Sequence, residues 1–573
     1  MNYKHEKKDI TIIGGGLAGI CAAISIARNG KTVSLIQNRG ILGGNSSSEI
    51  RVWVCGATKH GINRYARETG IMGELFLENQ YRNPDGNPYL WDLLLLEKVK
   101  DEKNIYLFLN SEATEINVLK SKKGNIIKSV TAWTNGSEIK TIFESDIYID
   151  CSGDGFIGSA AGAKYHIGRE SRYEFNESLA PEKADKVLLG STILFYTKDV
   201  GHSVKFVPPN FAKYISKTNI PKNRVIKCND SGCCYWWIEL GGELDIVKQN
   251  EMIRDDLWSL VYGIWDYIKN SGKYDADNLT LDWVGSIPGK REYRRFIGDY
   301  VLNQNDVINQ TNFDDQIAFG GWSIDLHPEK GIYEDGCGSK NIQANGVFQI
   351  PFRSTYSVNV LNLMFAGRNI SATHIAFGAT RVMATCATIG EAVGTAAVIC
   401  IENQINPRNL YEKHIKELQQ LLLKQDGSLI GIQNEDKKDK AKLSFVKASS
   451  SLRKIEIVNP DGNYNLSTDV GILFPLIGVI EDIELLVSCL EETTLDIEIW
   501  NTGKAENYIP QKFEKSITIK IKRGKNVWIK TGLFLQSKTP KNIFLIIKAN
   551  DKISMLLSKE TLTGVLSFTK TVI

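Results

Sequence analysis

The feature that most restricts the fold of this chain is the run DITIIGGGLAG at residues 9–19, where Gly14, Gly16 and Gly19 follow a β-branched apolar stretch and precede small residues. A strand feeding a helix through three such glycines makes a cradle for a pyrophosphate. The first permits a tight turn, the second lets main-chain amides approach the anion, and the third lets helix and strand pack closely. The unpaired N–H groups and the dipole of the following helix then face the phosphates. Glycine-rich turns are common, so the reading rests on its context: the strand before the glycines and a helix expected over 17–29 after them.

The glycines do not say which dinucleotide they would hold. After a second expected strand at 31–37 the chain continues NRGILGGNSSSEIRV, with Gly43 and Gly44 leading into a polar loop. A nicotinamide site in this fold does not usually need that extension, whereas a longer ligand lying across the first domain, such as FAD, would use it. Two further segments point the same way. In YIDCSGDGFIGSAAGA a strand expected at 146–151 runs into Ser152, Gly153 and Asp154. In NLMFAGRNISATHIAFGATRVMATCATIGEAVGTAAV an apolar strand ends at Gly367 and a small-residue helix is expected to start near Thr380.

With GKREYRRFIGDYVL, GGWSIDLHP and IPFRSTYSVNVLNLMFAGRNISATH, these segments cover most of residues 9–405, and as a set the chain resembles the FAD-dependent oxidoreductases. These are two-dinucleotide-fold flavoproteins related to the glutathione reductase and fumarate reductase flavoprotein group. The resemblance implies FAD, with Gly14, Gly16, Leu17, Ala18 and Gly19 at the pyrophosphate and Gly43, Gly44, Asn45, Ser46 and Ser47 along the ribityl and flavin side. Gly153 and Asp154, with Ser152, would close over the adenosine half, and Gly367 and Arg368 stand where the late strand meets the cofactor. Asn38, Ala113 and Thr385 complete the implied set. One position departs from the pattern: the second strand usually ends in an acid for the ribose hydroxyls, and here Gln37 stands there. An amide can bond a hydroxyl, but without the strength a carboxylate brings.

If the N-terminus of the helix near Thr380 points at the flavin pyrimidine ring, its dipole would stabilise negative charge developing there, and Arg381 would add a formal charge. Alternatively Ala387, Gly390, Ala392, Gly394, Ala396 and Ala397 only permit close helix packing; both can hold. The segment GKREYRRFIGDY concentrates Lys290, Arg291, Arg294 and Arg295. Either these make ion pairs with Glu292 and Asp299 or they orient an oxygen-rich substrate or a cofactor phosphate. Oxidising a hydroxyl also requires a proton acceptor, usually histidine. His374 is the first candidate because it follows the late strand and precedes the helix. His327, in SIDLHPEKG, would approach from a covering domain, and His60, in CGATKHG, lies in a loop that could tether flavin covalently. Against each stands a structural hydrogen-bonding role.

At 573 residues the chain is too long for one core and predicts three or four domains. The expected class is α/β: an FAD-binding Rossmann-like domain with an inserted α+β substrate domain and a C-terminal β-sandwich. Expected limits are 1–163 and 357–405 for the two parts of the FAD-binding domain, 164–356 for the substrate domain, 406–442 for a helical connector and 443–573 for the sandwich. In the insert, Ile253, Leu257, Leu260, Val261, Ile264 and Ile268 recur at helical spacing over 245–271, a core stripe. Beyond residue 443, alternating runs from KIEIVN to TGVLSFTK give about seven strands.

A net charge of +3 gives no reason to expect nucleic acid or an anionic membrane. The polar start MNYKHEKKDI leaves no room for a signal peptide, and no uninterrupted apolar run is long enough for a bilayer, so a cytoplasmic location is expected. Cys21, Cys151, Cys386 and Cys400 read as buried hydrophobes, and Cys228, Cys233 and Cys234 lack the paired spacing of a metal site, so no metal is expected. The Trp236 and Trp237 pair would suit stacking on a sugar ring.

The function expected is hydride transfer between flavin and a small polar substrate, such as a hydroxylated sugar derivative. The alternatives are reduction of an activated double bond, with arginine supplying the proton, and a flavin kept only as structure. The electron acceptor is open between oxygen, a quinone and a separate carrier, because no second dinucleotide fingerprint is present. A homo-oligomer is left open.

Overall fold

The computed structural model describes residues 2–222, 238–450, 457 and 459–570. The tryptophan pair at 236 and 237 and the cysteines at 228, 233 and 234 lie outside these residues. Contacts divide the chain into two compact units. One comprises residues 1–60, 67–344 and 348–435, and the other residues 61–66, 345–347 and 436–573.

The first unit is built on five parallel strands in the order Leu363–Phe365, Ile147–Asp150, Ile10–Ile13, Val33–Ile36 and Ile105–Phe108. The first four strands are buried throughout, as expected where a parallel sheet is covered on both faces. Helix Leu17–Arg28 crosses helix Met383–Asn403 at backbone distance. A side chain at Gly390 or Gly394 would collide with the carbonyl of Ala18 or Ala22, so glycine alone permits this approach. The Ser25 and Thr395 hydroxyls close the contact at 2.7 Å.

The late helical region differs from expectation: a short helix, His374–Thr380, stops at Arg381, and the long helix begins only at Met383. Helix Met383–Asn403 is also the one described helix long and apolar enough to cross a membrane. However, 89% of its most apolar window is buried inside the protein, which makes it a core helix here.

A second sheet orders Asn2–Lys7, Ile139–Glu144, Ile126–Thr134 and Ser111–Leu119. The polar start is therefore a strand, paired in parallel with Ile139–Glu144. In the inserted part, helix Asn250–Asn270 buries the six stripe residues with Trp265. They pack on Phe195, Ile238, Leu279 and Ile332 in a separate core, where each aliphatic side chain removed from water contributes roughly 1.5–3 kcal/mol.

The second unit holds two antiparallel sheets, of four and five strands. Val487 and Ile553 of one and Ile497 and Leu545 of the other share a single apolar core. Of the expected strand KIEIVN, only Ile457 and Asn459 are among the described residues. Three strands were not expected: Gly462–Asn465, Val470–Ile480 and Ile553–Leu557.

Candidate functional site

The glycine motif forms a bare cradle. Gly14 turns at φ +107°, with no room for a side chain against the carbonyl of Cys151. Gly16 and Gly44 face one another so closely that a Cβ on Gly44 would lie 3.2 Å from the Gly16 Cα. Gly43 N–H donates to the Gly15 carbonyl at 2.8 Å, fixing the GGNSSS loop beside the first turn of helix Leu17–Arg28. That first turn carries no acidic residue and no side-chain cap, leaving its amides to an external acceptor. Gly367 reaches the same turn at Ala18, and Gly14 brings Ser152 to it. The residues expected at Gly14 to Gly19, Gly43 to Ser47, Ser152 to Asp154 and Gly367 to Arg368 thus converge.

Several of them hold the loop. Asn45 Nδ2 donates to the Lys290 carbonyl at 2.9 Å, and Ser46 Oγ donates to the Gly43 carbonyl and accepts from the Trp91 indole. Ser47 is fully buried, and its hydroxyl has no partner among the described residues.

Gln37 is committed elsewhere. Its Oε1 accepts from Gly15 N–H at 2.9 Å and its Nε2 donates to the Ile41 carbonyl at 3.0 Å, so the side chain braces the turn from behind. Asn38 follows it on the surface. Ala113 lies two residues beyond Ser111, whose N–H donates to the Gln37 carbonyl at 2.9 Å. Thr385, in the first turn of the long helix, donates to Glu68 Oε1 at 3.2 Å, and the same oxygen accepts from Ala57 N–H at 2.7 Å.

A second group of side chains forms a buried array of charges. His327 is held on both ring nitrogens, 2.7 Å from Glu239 Oε2 and 3.1 Å from Asp325 Oδ2. Arg381 Nη2 donates to the same Asp325 oxygen at 2.6 Å. Arg291 Nη1 donates to the Gly190 carbonyl at 2.8 Å and lies 3.6 Å from Glu239. Burial opposes ionisation of both acids, yet His327, Arg381 and Arg291 hold the Asp325 carboxyl far below its ordinary range. Arg291, His327 and Arg381 likewise hold Glu239 down against its burial. Burial lowers the Arg291 guanidinium, helped by Arg381, while Glu239 and Asp325 oppose it.

The loop carrying His60 approaches this array. Lys59 and His60 both adopt left-handed conformations, at φ +46° and +53°, backbone strain of the kind that gathers at functional sites. The His60 ring stands edge-on to Trp322 at 5.0 Å. Burial lowers the Lys59 amine, against the pull of Asp325. The loop is tied to the long helix where Ala384 N–H donates to the Cys55 carbonyl at 3.0 Å.

His374 sits in a different network. Its Nδ1 lies 2.9 Å from Glu292 Oε2, and its N–H donates to Glu170 at 2.8 Å. Arg295, 1% exposed, bridges both acids and also bonds the Ala372 and Gly168 carbonyls. Arg295 and His166 bring Glu170 down to about 2 against its burial. The expected pairing of an arginine in this segment with Glu292 is present, whereas Asp299 pairs instead with Arg408.

Sequence reasoning passed over Glu239 and Asp325. Asp325 and His327 stand two apart at strand Ile324–Leu326, a spacing that places both on one face and was a usable signal. Glu239 carries no comparable local mark. Among the described residues no group of side chains is arranged to hold a metal, and Cys21, Cys151, Cys386 and Cys400 are buried thiols.

A sequence model of the FAD dependent oxidoreductases matches residues 9–422, nearly three quarters of the chain. The chain belongs to that family. FAD is the cofactor of this oxidoreductase, and the family implies a small-molecule substrate and an electron acceptor. No curated protein matches the chain.

Among solved structures it is similar to a geranylgeranyl bacteriochlorophyll reductase-like protein from Thermoplasma acidophilum, at 12% identity and TM-score 0.31, over 74% of this chain and 85% of the other. It is also similar to a myxobacterial chondrochloren halogenase, at 13% identity and TM-score 0.33, over 73% and 79%. A third is the Escherichia coli quinol fumarate reductase flavoprotein, at 9% identity and TM-score 0.29, over 73% and 75%.

The cradle fits the cofactor. Its glycines leave no side chain between the helix amides and a diphosphate, and Ser47 Oγ and Arg368 Nη1 are buried without partners among the described residues.

Proposed function

We propose that this flavoprotein oxidises a hydroxyl group of a small polar substrate, with a sugar derivative as the substrate class. The diphosphate would be held by the amides of Gly16 to Gly19, with Gly43 to Ser47 and Gly367 along the rest of the cofactor. When bound, the flavin supplies the acceptor for the hydride; the chain has to place the substrate and take its proton.

The observation that carries this reading is His327 between two carboxylates. Glu239, 2.7 Å from Nδ1, would hold the ring in the tautomer that leaves Nε2 to take the substrate's proton, as the acid of a catalytic triad does for its histidine. The longer contact, 3.1 Å from Nε2 to Asp325, is the one a substrate hydroxyl would displace. Arg381 keeps Asp325 ionised and in place through its 2.6 Å bond. Lys59, His60 and Trp322 would border the substrate. His327 is therefore preferred over His374, whose partners Glu292, Glu170 and Arg295 form an enclosed structural network.

The same reading takes 164–356 as a substrate-covering domain and 443–573 as a β-sandwich with no part in the reaction.

A second reading, reduction of an activated double bond, is favoured by Arg291, whose buried guanidinium gives up its proton more readily than an exposed one. The test is anaerobic addition of sugars, polyols and organic acids to the holoenzyme while its flavin absorbance is followed. Bleaching by a hydroxylated compound, lost in His327→Asn and retained in Arg291→Lys, supports oxidation. Bleaching by none of them, with reoxidation of artificially reduced flavin by an unsaturated acid, supports the second reading.

A further inference from the structure

One carboxylate beside the glycine cradle collects more positive charge than it can balance. Asp154 Oδ2 lies 2.7 Å from Lys290 Nζ and Oδ1 lies 2.6 Å from Arg368 Nη2, while Arg294 Nη1 donates to the Asp154 carbonyl at 3.0 Å. Burial opposes ionisation of Asp154, but Arg368, Lys290 and Arg294 hold its carboxyl below the ordinary range. The three paired side chains are only 16–24% exposed, so solvent screens the surplus charge poorly.

Arg368 Nη1 is buried with no partner among the described residues, a donor left to an acceptor the chain does not provide. The guanidinium lies over the bare face of Gly153, where a Cβ would come within 2.6 Å of its Nε. Lys290 is anchored to the cradle by the bond from Asn45 to its carbonyl, and Arg368 follows Gly367, which touches Ala18 in the first helical turn. Two cations and an unused donor are therefore gathered at Asp154, on segments tied to the cradle.

We infer that Lys290 and Arg368 clamp the diphosphate of the cofactor, and that Asp154, paired with both cations, competes with that anion for them. This rests on the assignment of the cradle to FAD. It gives Asp154 the opposite sign from a direct ligand: a residue that competes with the cofactor for its partners weakens binding.

The experiment is calorimetric titration of cofactor-stripped protein with FAD, ADP and riboflavin at low and high salt, for wild type, Lys290→Met and Asp154→Asn. Lys290→Met should raise Kd for FAD and ADP by about tenfold, as loss of one charged hydrogen bond implies, flatten their salt dependence and leave riboflavin unchanged. Asp154→Asn should tighten FAD several-fold. Equal weakening of riboflavin and FAD in Lys290→Met, an unchanged FAD Kd in that variant, or weaker FAD binding in Asp154→Asn would overturn the clamp. Lys290→Met decides alone if Asp154→Asn does not fold. Wild-type protein that binds none of the three probes refutes the assignment of the cradle instead.

Discussion

Glu391 should give this protein a pH-dependent stability that one isosteric substitution removes. Its carboxyl is 4% exposed and accepts from Ile71 N–H at 2.8 Å, at the start of helix Gly70–Arg82. Burial is the main cause that pushes it up from 4.5 to about 7, with Asp426 and Glu74 adding to the shift and the Ile71 amide and Arg28 opposing it. Between these values the folded chain holds a proton that the unfolded chain has released. Stability therefore falls as pH rises through that window, by about 3 kcal/mol at roughly 1.4 kcal/mol per pH unit. In Glu391→Gln the amide oxygen still accepts from Ile71 but nothing titrates. The midpoint of the variant minus that of wild type should rise by about 3 °C between about pH 5 and about pH 8 for a folding unit of this size. Thermal unfolding of both proteins at both pH values measures it. Any constant cost of the amide cancels in the comparison. A difference that stays flat or falls with pH would mean that Glu391 does not hold a proton specific to the folded chain.

Other substitutions test the two networks and the turn. Arg295→Met strands Glu170 and Glu292 in the interior and should cost about 3–5 kcal/mol, read as a large loss of folded yield or of melting temperature. His374→Gln should lower the melting temperature while leaving the rate of flavin reduction by substrate within a few-fold. His327→Gln should instead lower that rate by roughly 10²-fold or more; stopped-flow absorbance separates them. Gln37→Glu, which restores the acid usual at that position, should weaken FAD binding, because a carboxylate cannot donate to the Ile41 carbonyl and leaves it unpaired at a cost of about 1–3 kcal/mol. Tighter FAD binding in that variant would show that residue 37 contacts the ribose.

What could be read from the sequence was what is local. The cradle is eleven contiguous residues, and the stripe of helix Asn250–Asn270 declares itself by its 3.6-residue period. The charge array was not legible because Glu239, Arg291, Asp325 and Arg381 come from four separate segments joined only by folding. His374 ranked first through its adjacency to the late strand, but adjacency does not show which way a ring points. Its partners, Glu292 and Glu170, lie 82 and 204 residues away. Strand Asn2–Lys7 is polar and largely exposed, so its conformation comes from pairing with Ile139–Glu144 rather than from an apolar pattern. Strand Val470–Ile480 is apolar nearly throughout and is interrupted by Pro475 and a register shift before Gly478, which hides the alternation. The helix break at Arg381 and Val382 has no proline or glycine to announce it.

On the proposed reading, main-chain amides at the start of helix Leu17–Arg28 grip the diphosphate of FAD. Hydrogen–deuterium exchange of the cofactor-stripped protein, with and without FAD, tests it directly. Peptides covering residues 14–19 should be strongly protected by FAD, accompanied by 43–47 and 152–154. Binding of FAD that leaves 14–19 unprotected, with protection elsewhere, would contradict it.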